Sequence, residues 1–571
     1  MLDLRSRQIL GTVTLVAVAA VTLVVAPYTL LDPINLPKLC TLAFFSIIAL
    51  SLYLPSIKEL LTARYRVVSI VSIMFILQIF LVLIFSGATL SRQIYGVNGR
   101  NTGALAYVCL TLLLVGSVLI ADQDFLKKFV RMTLIVGLFL IIYGNLQYLN
   151  LDPLPFKTAY TVNAPVGTLG NSNFQSAFMG MIAVVCLTMA LNPRFKMLIR
   201  LSLALMGLTS MIVVYETLAK QGYFAFIAGI GLVAILWLFI TKRKMLGVAT
   251  AGIGIAGGGL VALGLINMGP LASYLYKGSL EARGFYWRTA IRMLLDHPLF
   301  GVGMDNYINW YRRALEADWA AKGFFTYSNS AHNVYLDIAA SGGFPLLFIY
   351  CALTALVITS IVRVVKRLDS FDTYFAAIVG AWFAYQVQSV ISINQLGLAV
   401  WGWVLSGLII GYEIQTRNSE SNQTLLIKSK PIRKSQKIST QPLSSATVMR
   451  LFAGVILAAI VAIPPYYVNA KYLSAFKVFD VKAMQSAAYL KPVEEYRLLH
   501  AVTMFRDNKY DSEAIEILRD AVVRFPDSSD LWTVWAILPG AAPSDVAHAV
   551  AELKRLDPNN PDVTCWKCSG G

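Results

Sequence analysis

The sequence predicts an all-α membrane protein: a polytopic bundle of about 12–13 transmembrane helices, a large outer loop and a C-terminal helical domain. Three observations carry this expectation. The 571 residues are 57% hydrophobic and only 14% charged, with mean hydropathy +0.64, whereas soluble domains carry about 25% charge. Apolar runs near the length needed to cross a hydrocarbon core of about 30 Å recur along the chain, and in lipid such runs must be helices, because backbone polar groups can pair only internally. Lys and Arg gather in alternate connections, as the positive-inside rule requires. That alternation accounts for the net charge of +17 with no nucleic acid as partner.

The runs cover 9–26, 36–54, 67–85, 104–120, 132–149, 177–191, 201–215, 224–240, 246–266, 344–362, 374–391, 396–412 and 451–465. The first follows Arg5 and Arg7 and reads as a membrane helix rather than a cleaved signal, since many runs follow it. With the N-terminus inside, one side receives Lys58, Arg64 and Arg66, then Lys127, Lys128 and Arg131, then Arg194, Lys196 and Arg200. Lys242, Arg243 and Lys244 fall there too, as do Arg363, Lys366 and Arg367. The ninth run is rich in Gly, which permits close helix packing. Residues 1–415 are thus expected to form a membrane domain with an outer loop at about 269–343. Residues 416–448, rich in Ser, Gln and Lys, read as a cytoplasmic linker; 449–465 make one further crossing.

Residues 466–571 read differently, as short amphipathic helices ending near Pro and Asp. Their spacing resembles degenerate tetratricopeptide (TPR) repeats of about 34 residues, which offer a concave surface to a partner; a small helical cap is the competing reading. Cys40, Cys109, Cys186 and Cys351 lie in or beside apolar runs and read as packing residues. Cys565 and Cys568 form a lone C-x-x-C, too few ligands for a structural zinc site, which leaves a disulfide or an unstructured tail. No metal and no cofactor is expected.

The polar residues that carry chemistry concentrate in 271–344. There EARGFYWRTAIRMLLDHPLFGVGMDNY (281–307) holds Arg283, Arg288 and His297, and SAHNVYLDIAASGGFP (330–345) holds His332 and Asn333. Arginine stays charged and can grip phosphate oxygens with two parallel hydrogen bonds. Histidine suits proton transfer near neutral pH. Structural roles compete: Arg283 as an anchor snorkelling to headgroups, His332 as a cap on the re-entering helix. His297, before Pro298, reads as a turn residue. Asp122 and Asp124 mimic a D-x-D metal motif but fall on the basic side, as a solvated loop.

Taken in order, R-x-x-x-W, HPLFGVGMDNY and HNVYLDIAASGGFP resemble the O-antigen ligase and polysaccharide polymerase superfamily over roughly residues 1–415. GTLGNSNF (167–174), with Asn171 and Asn173, is similar to that family's G-N-P-N-F, with Ser172 in place of proline. GRNTGALAY (99–107), with Arg100, resembles its early outer loop. The resemblance implies twelve membrane helices and an active site in the outer loop between the ninth and tenth. It implies transfer of glycan from a polyprenyl-diphosphate-linked donor to a hydroxyl of a glycan, lipid or protein acceptor.

By the same resemblance Arg283, Arg288 and Lys220 would bind diphosphate, and His332 would sit at the acceptor. Asn333, Asn171, Asn173 and Arg100 are further candidates. One departure stands out: where the family carries arginine in the turn between helices seven and eight, this chain has AKQGY, with Lys220 and Gln221 before Gly222. Lysine supplies charge without the bidentate fork. The expectation is a metal-independent membrane glycosyltransferase of a bacterial inner membrane, with active site and C-terminal domain extracytoplasmic. A protein O-oligosaccharyltransferase is the alternative within the superfamily. A lipid-linked oligosaccharide transporter is the alternative outside it, though the runs show no internal repeat of the kind transporters favour.

Overall fold

The computed structural model describes residues 3–154, 164–317, 319, 327–426 and 443–564. Among them every regular element is a helix. Nine long helices precede the polar stretch: α1 (Leu4–Leu23), α2 (Asn35–Tyr53), α3 (Arg66–Phe85), α4 (Ala104–Ile120), α5 (Gln123–Tyr148), α6 (Ser172–Ala190), α7 (Met197–Glu216), α8 (Gln221–Ile240) and α9 (Lys244–Leu265). The stretch itself holds α10 (Ser279–Asp296) and α11 (Tyr307–Ala314). Then come α12 (Val334–Arg367), α13 (Thr373–Ser389), α14 (Leu396–Leu426) and α15 (Ser445–Lys477). Among the described residues ten helices are long and apolar enough to cross a membrane, and α4 is apolar but shorter. The chain is a polytopic all-α membrane protein.

Burial orders the bundle. The apolar part of α14 is entirely enclosed, α6 is largely so, and α9 lies at the periphery. Helix α3 shows how a lipid-facing helix divides its faces. Ser69, Ser72 and Gln78 point inward, while Ile73, Leu77, Phe80 and Ile84 are exposed. Apolar side chains on the outside cost nothing when the solvent is hydrocarbon, and polar ones gain partners inside. Lys38 on α2 is fully enclosed; its ammonium donates to the carbonyls of Val21, Thr22 and Val24 at 2.7–3.0 Å. It thereby satisfies the C-terminal end of α1, whose last carbonyls have no helical partner.

Several helices outrun their apolar cores. Helix α12 begins at Val334 and is interrupted at Gly343, immediately before the apolar run that starts at 344. Helix α14 continues to Leu426, into the stretch read as linker from 416, and α15 passes Pro464 and Pro465 to reach Lys477. The boundary placed at 465 thus falls inside a continuous helix. Apolarity marks what lies in hydrocarbon, whereas a helix continues wherever its backbone bonds can.

Helix α12 is broken at Gly343, where φ is 71°, just before Pro345. Residues 297–303 fill the break. Val302 N–H donates to Ala340 O at 2.8 Å, Gly303 N–H to Ser341 O at 3.2 Å, and Phe344 N–H to Pro298 O at 2.8 Å. The Gln78 side-chain amide donates to Leu299 O at 2.9 Å and Gly342 O at 3.2 Å. Every carbonyl freed from 340 to 342 thus regains a partner, as burial demands. Glycine is required at the closest approach: a Cβ on Gly301 (φ +59°) would lie 2.4 Å from Ala340 O.

Five helices of eight or more residues follow among the described residues, α16 (Val481–Ala488), α17 (Glu495–Asp507), α18 (Asp511–Arg524), α19 (Ser529–Ile537) and α20 (Pro543–Leu556), then a single turn at Pro561–Thr564. They share a core that includes Leu498, Phe505, Ile517, Leu518, Leu531 and Leu553. This unit is clasped to the polar stretch. Arg312 pairs with Asp530 at 2.6 Å, Arg313 with Asp527, and Tyr327 O–H donates to Asp557 at 2.9 Å. Asn559 donates to Leu315 O at 2.8 Å, and Arg92 pairs with Glu495. Cys565 and Cys568 lie outside the described residues, as does most of the linker at 427–442.

Gly301→Ala should therefore destabilise the membrane unit by about 1–3 kcal/mol through strain and overpacking. Gly252→Ala, where a Cβ meets open space, should be near neutral. Thermal unfolding in one detergent separates them; equal melting temperatures would contradict the packing described.

Candidate functional site

The site is built around the turn 330–333. Asp337, one turn into α12, accepts from Ala331 N–H at 2.7 Å and from Ser330 O–H at 3.1 Å. Ser330 Oγ in turn accepts from His332 N–H at 2.8 Å. Asn333 caps α12, its side-chain oxygen accepting from Tyr335 and Leu336 N–H at 3.0 and 3.1 Å. That satisfies two of the four orphan donors at the helix start. Locked from both sides, His332 takes φ 51°, a conformation uncommon for residues other than glycine. The side chains of Ser330, Asp337 and Asn333 thus hold the backbone that carries the imidazole.

Helix α10 supplies the opposing wall. Tyr286 stands against the imidazole, ring centroids 5.6 Å apart. Arg283 lies one turn earlier on the same face and near enough to act on His332 electrostatically. Tyr307 from the MDNY motif donates to Tyr286 O at 2.7 Å and so fixes α10 to the loop. Below them Phe285, Tyr286, Met293, Val302, Tyr307 and Tyr311 form a local apolar core.

Arg100 ties the early outer loop to both motifs. It donates to Asn329 O at 2.6 Å and lies 3.8 Å from Asp305 and 3.7 Å from Asp337. Asp305 also accepts from Val97 and Thr102 N–H at 2.9 and 3.1 Å. Arg100 is buried and bridges two buried carboxylates, so its place here is to assemble the turn that carries His332.

Burial first, then the positive charges of Arg283 and Arg100, pushes His332 down to about 3. Its imidazole is neutral at physiological pH. Burial lowers Arg283 and Tyr286 opposes that; the guanidinium keeps its charge regardless. A neutral imidazole beside a half-buried cation can accept a proton once an anion offsets the cation.

The other predicted residues sit elsewhere. Arg288 is exposed, lies over the Phe285 ring at 4.2 Å and pairs with Glu316 at 3.1 Å, a partner it shares with Arg292. It does not face His332 with Arg283. Asn171 caps α6, accepting from Asn173 N–H at 2.8 Å. Lys220 is exposed in the α7–α8 turn, and its ammonium makes no hydrogen bond or ion pair among the described residues. That turn packs on the start of α6: Ser176 O–H donates to Ala219 O at 2.9 Å and Gly222 N–H to Ser176 Oγ at 3.1 Å. A Cβ on Gly222 would meet Ser176 O at 2.4 Å, so the glycine of AKQGY is required by packing. His297 stacks edge-on against Trp310. Asp122 caps α5 and pairs with Arg7 at 3.2 Å, and Asp124 pairs with Lys127 at 3.0 Å. Among the described residues no group of three or more His, Cys, Asp or Glu is arranged to hold a metal ion.

Sequence reasoning passed over Tyr286, Asp305 and Asp337. Asp337 carried a signal: an acid at the edge of an apolar run needs a partner. Tyr286 carried none, since nothing local ties it to His332.

Residues 206–351 match a family model described as O-Antigen ligase. The match runs from α7 through the polar stretch into α12 and spans Lys220, Arg283 and His332. It is narrower than the resemblance over residues 1–415. No curated protein matches the chain. Residues 206–351, with Arg283 and His332 inside them, match an O-antigen ligase domain, which supports the O-antigen ligase superfamily for this part of the chain.

Proposed function

We propose that the chain transfers or polymerises glycan from a polyprenyl-diphosphate-linked donor onto an acceptor hydroxyl. The convergence of Arg283 and a neutral His332, from separate elements, carries this reading. The acceptor oxygen attacks the anomeric carbon as the bond from that carbon to diphosphate breaks. The electron pair leaves on a diphosphate oxygen beside Arg283, and the acceptor proton passes to His332. A bound diphosphate offsets the charge of Arg283, so the imidazole becomes a better base only when donor is present. Lys220 is assigned to the same donor as a point charge, and Arg288 to its outer phosphate once released from Glu316.

Activity from purified lipid-linked donor tests this, with protein amounts matched. His332→Ala should lose about 10²–10⁴ in rate, the usual loss for a positioned proton acceptor. Arg283→Ala should cost about 3–4 kcal/mol of transition-state stabilisation, by analogy with losing one oxyanion donor. Arg283→Lys should stay impaired, because the fork is gone. Lys220→Ala should resemble Arg283→Ala, and Lys220→Arg should be tolerated. The acid limb of kcat should lie at higher pH than that of kcat/KM, since the first reports the donor complex and the second the free protein. Near-normal activity in both Arg283→Ala and His332→Ala, or coincident acid limbs, would overturn the mechanism.

The site end is assigned to the extracytoplasmic face of a bacterial inner membrane. The support is the clustering of Lys and Arg in loops at the opposite end. In a background without native cysteines, Ser512→Cys should react with an impermeant thiol reagent in intact cells and Arg194→Cys should not. The reverse pattern would invert the topology.

A further inference from the structure

A cavity of about 240 Å³ lies between the short helix Leu90–Tyr95, the start of α11 and the C-terminal unit. Neither Arg283 nor His332 lines it, yet Asn329 in its wall is three residues from His332 and receives the Arg100 hydrogen bond at 2.6 Å. The lining mixes amides (Asn98, Asn309, Asn329), hydroxyls (Ser528, Ser529) and the rings of Tyr496 and Phe525.

The charges here are matched. Glu495 is paired with Arg92, Glu494 lies 3.6 Å from Arg497, and Asp530 is 2.6 Å from Arg312. Among the described residues the one cation in the lining, Arg92, is taken by Glu495, and the carboxylates are not gathered as a metal site. Amides and hydroxyls both donate and accept, and aromatic faces bury an apolar surface of defined shape. A ligand that alternates hydroxyls with C–H faces fits that combination. Convergent polar groups in a concave site bordered by two units of the fold are where small ligands bind.

We propose that this cavity is a subsite for one uncharged sugar ring of the glycan, held between the membrane unit and the C-terminal unit. It rests on the glycan-transfer reading, and its ring belongs either to the donor or to the acceptor. The subsite would give the C-terminal unit a direct part in substrate capture, and its ion pairs with Arg92 and Arg312 would close it.

The full-length protein in detergent is mixed with the methyl glycosides of glucose, N-acetylglucosamine and glucuronic acid, and with inorganic pyrophosphate as competitor. Binding is read by saturation-transfer NMR. At least one uncharged glycoside should bind, the glucuronide should bind more weakly, and pyrophosphate should not displace the sugar. Asn98→Trp, which fills the cavity, and Tyr496→Ala, which removes one ring, should each weaken binding about three- to tenfold, the worth of an aromatic contact. Tyr496 is 41% exposed, so its truncation leaves the core intact should Asn98→Trp fold poorly.

In the transfer assay the same variants should raise KM and leave kcat within about twofold, as loss of uniform binding does. A raised donor KM assigns the ring to the donor, and a raised acceptor KM assigns it to the acceptor. No sugar binding to the wild type, equal binding to both variants, or unchanged KM for both substrates would overturn the subsite. Sugar binding without any transfer by the wild type would leave the subsite standing and overturn the proposed reaction instead.

Discussion

The structure depends on how a broken membrane helix is repaired. At Gly343 helix α12 stops obeying helical geometry, and the carbonyls of Ala340, Ser341 and Gly342 lose their partners. In a low-dielectric surround each unpaired carbonyl costs several kcal/mol. The 297–303 segment answers with the N–H groups of Val302 and Gly303, and α3 answers with Gln78. This exchange joins the HPLFGVG and GGFP motifs in space. It also sets the distance from α10, which leads into 297, to the turn 330–333, which leads into α12. Tyr286 stands against His332, with Arg283 one turn away, because the ends of their two helices are stitched together.

A second constraint holds the upper side of the site. Arg100 spans Asp305 and Asp337, and Asp337 holds the turn that carries His332. Three sequence motifs thus meet at one buried guanidinium. Removing one member of such a set leaves the others with unpaired charge, so the residues around the site are interdependent. Further out, Arg312 and Arg313 give the C-terminal unit its grip.

Much of this was legible in the sequence. The apolar runs fall on the thirteen long helices described outside the polar stretch, ten of them long and apolar enough to cross a membrane, because burial in lipid demands apolar side chains wherever a helix crosses. Helix ends were less legible: α15 ends at Lys477, where polar residues surround an unbroken backbone ladder. Arg283 and His332 stood out by residue type and motif, and their meeting is in the fold. Arg288 lies five residues beyond Arg283, a spacing that need not share a helix face, and Glu316 holds it. The Arg312–Asp530 and Arg313–Asp527 pairs could not be read, since each joins segments more than 200 positions apart with no shared pattern.

The repaired break is the feature on which the account stands, and amide hydrogen exchange measures it directly. In the full-length protein in detergent, the N–H groups of Val302, Gly303 and Phe344 should exchange as slowly as those inside α3 and α12, since each is bonded within the packed lock. Gln78→Ala should speed exchange across 297–303 and 340–344 together while α13 is unaffected. Fast exchange at Val302 and Gly303 in the native protein, at the rate of an open loop, would contradict the lock and with it the positioning of Arg283 against His332.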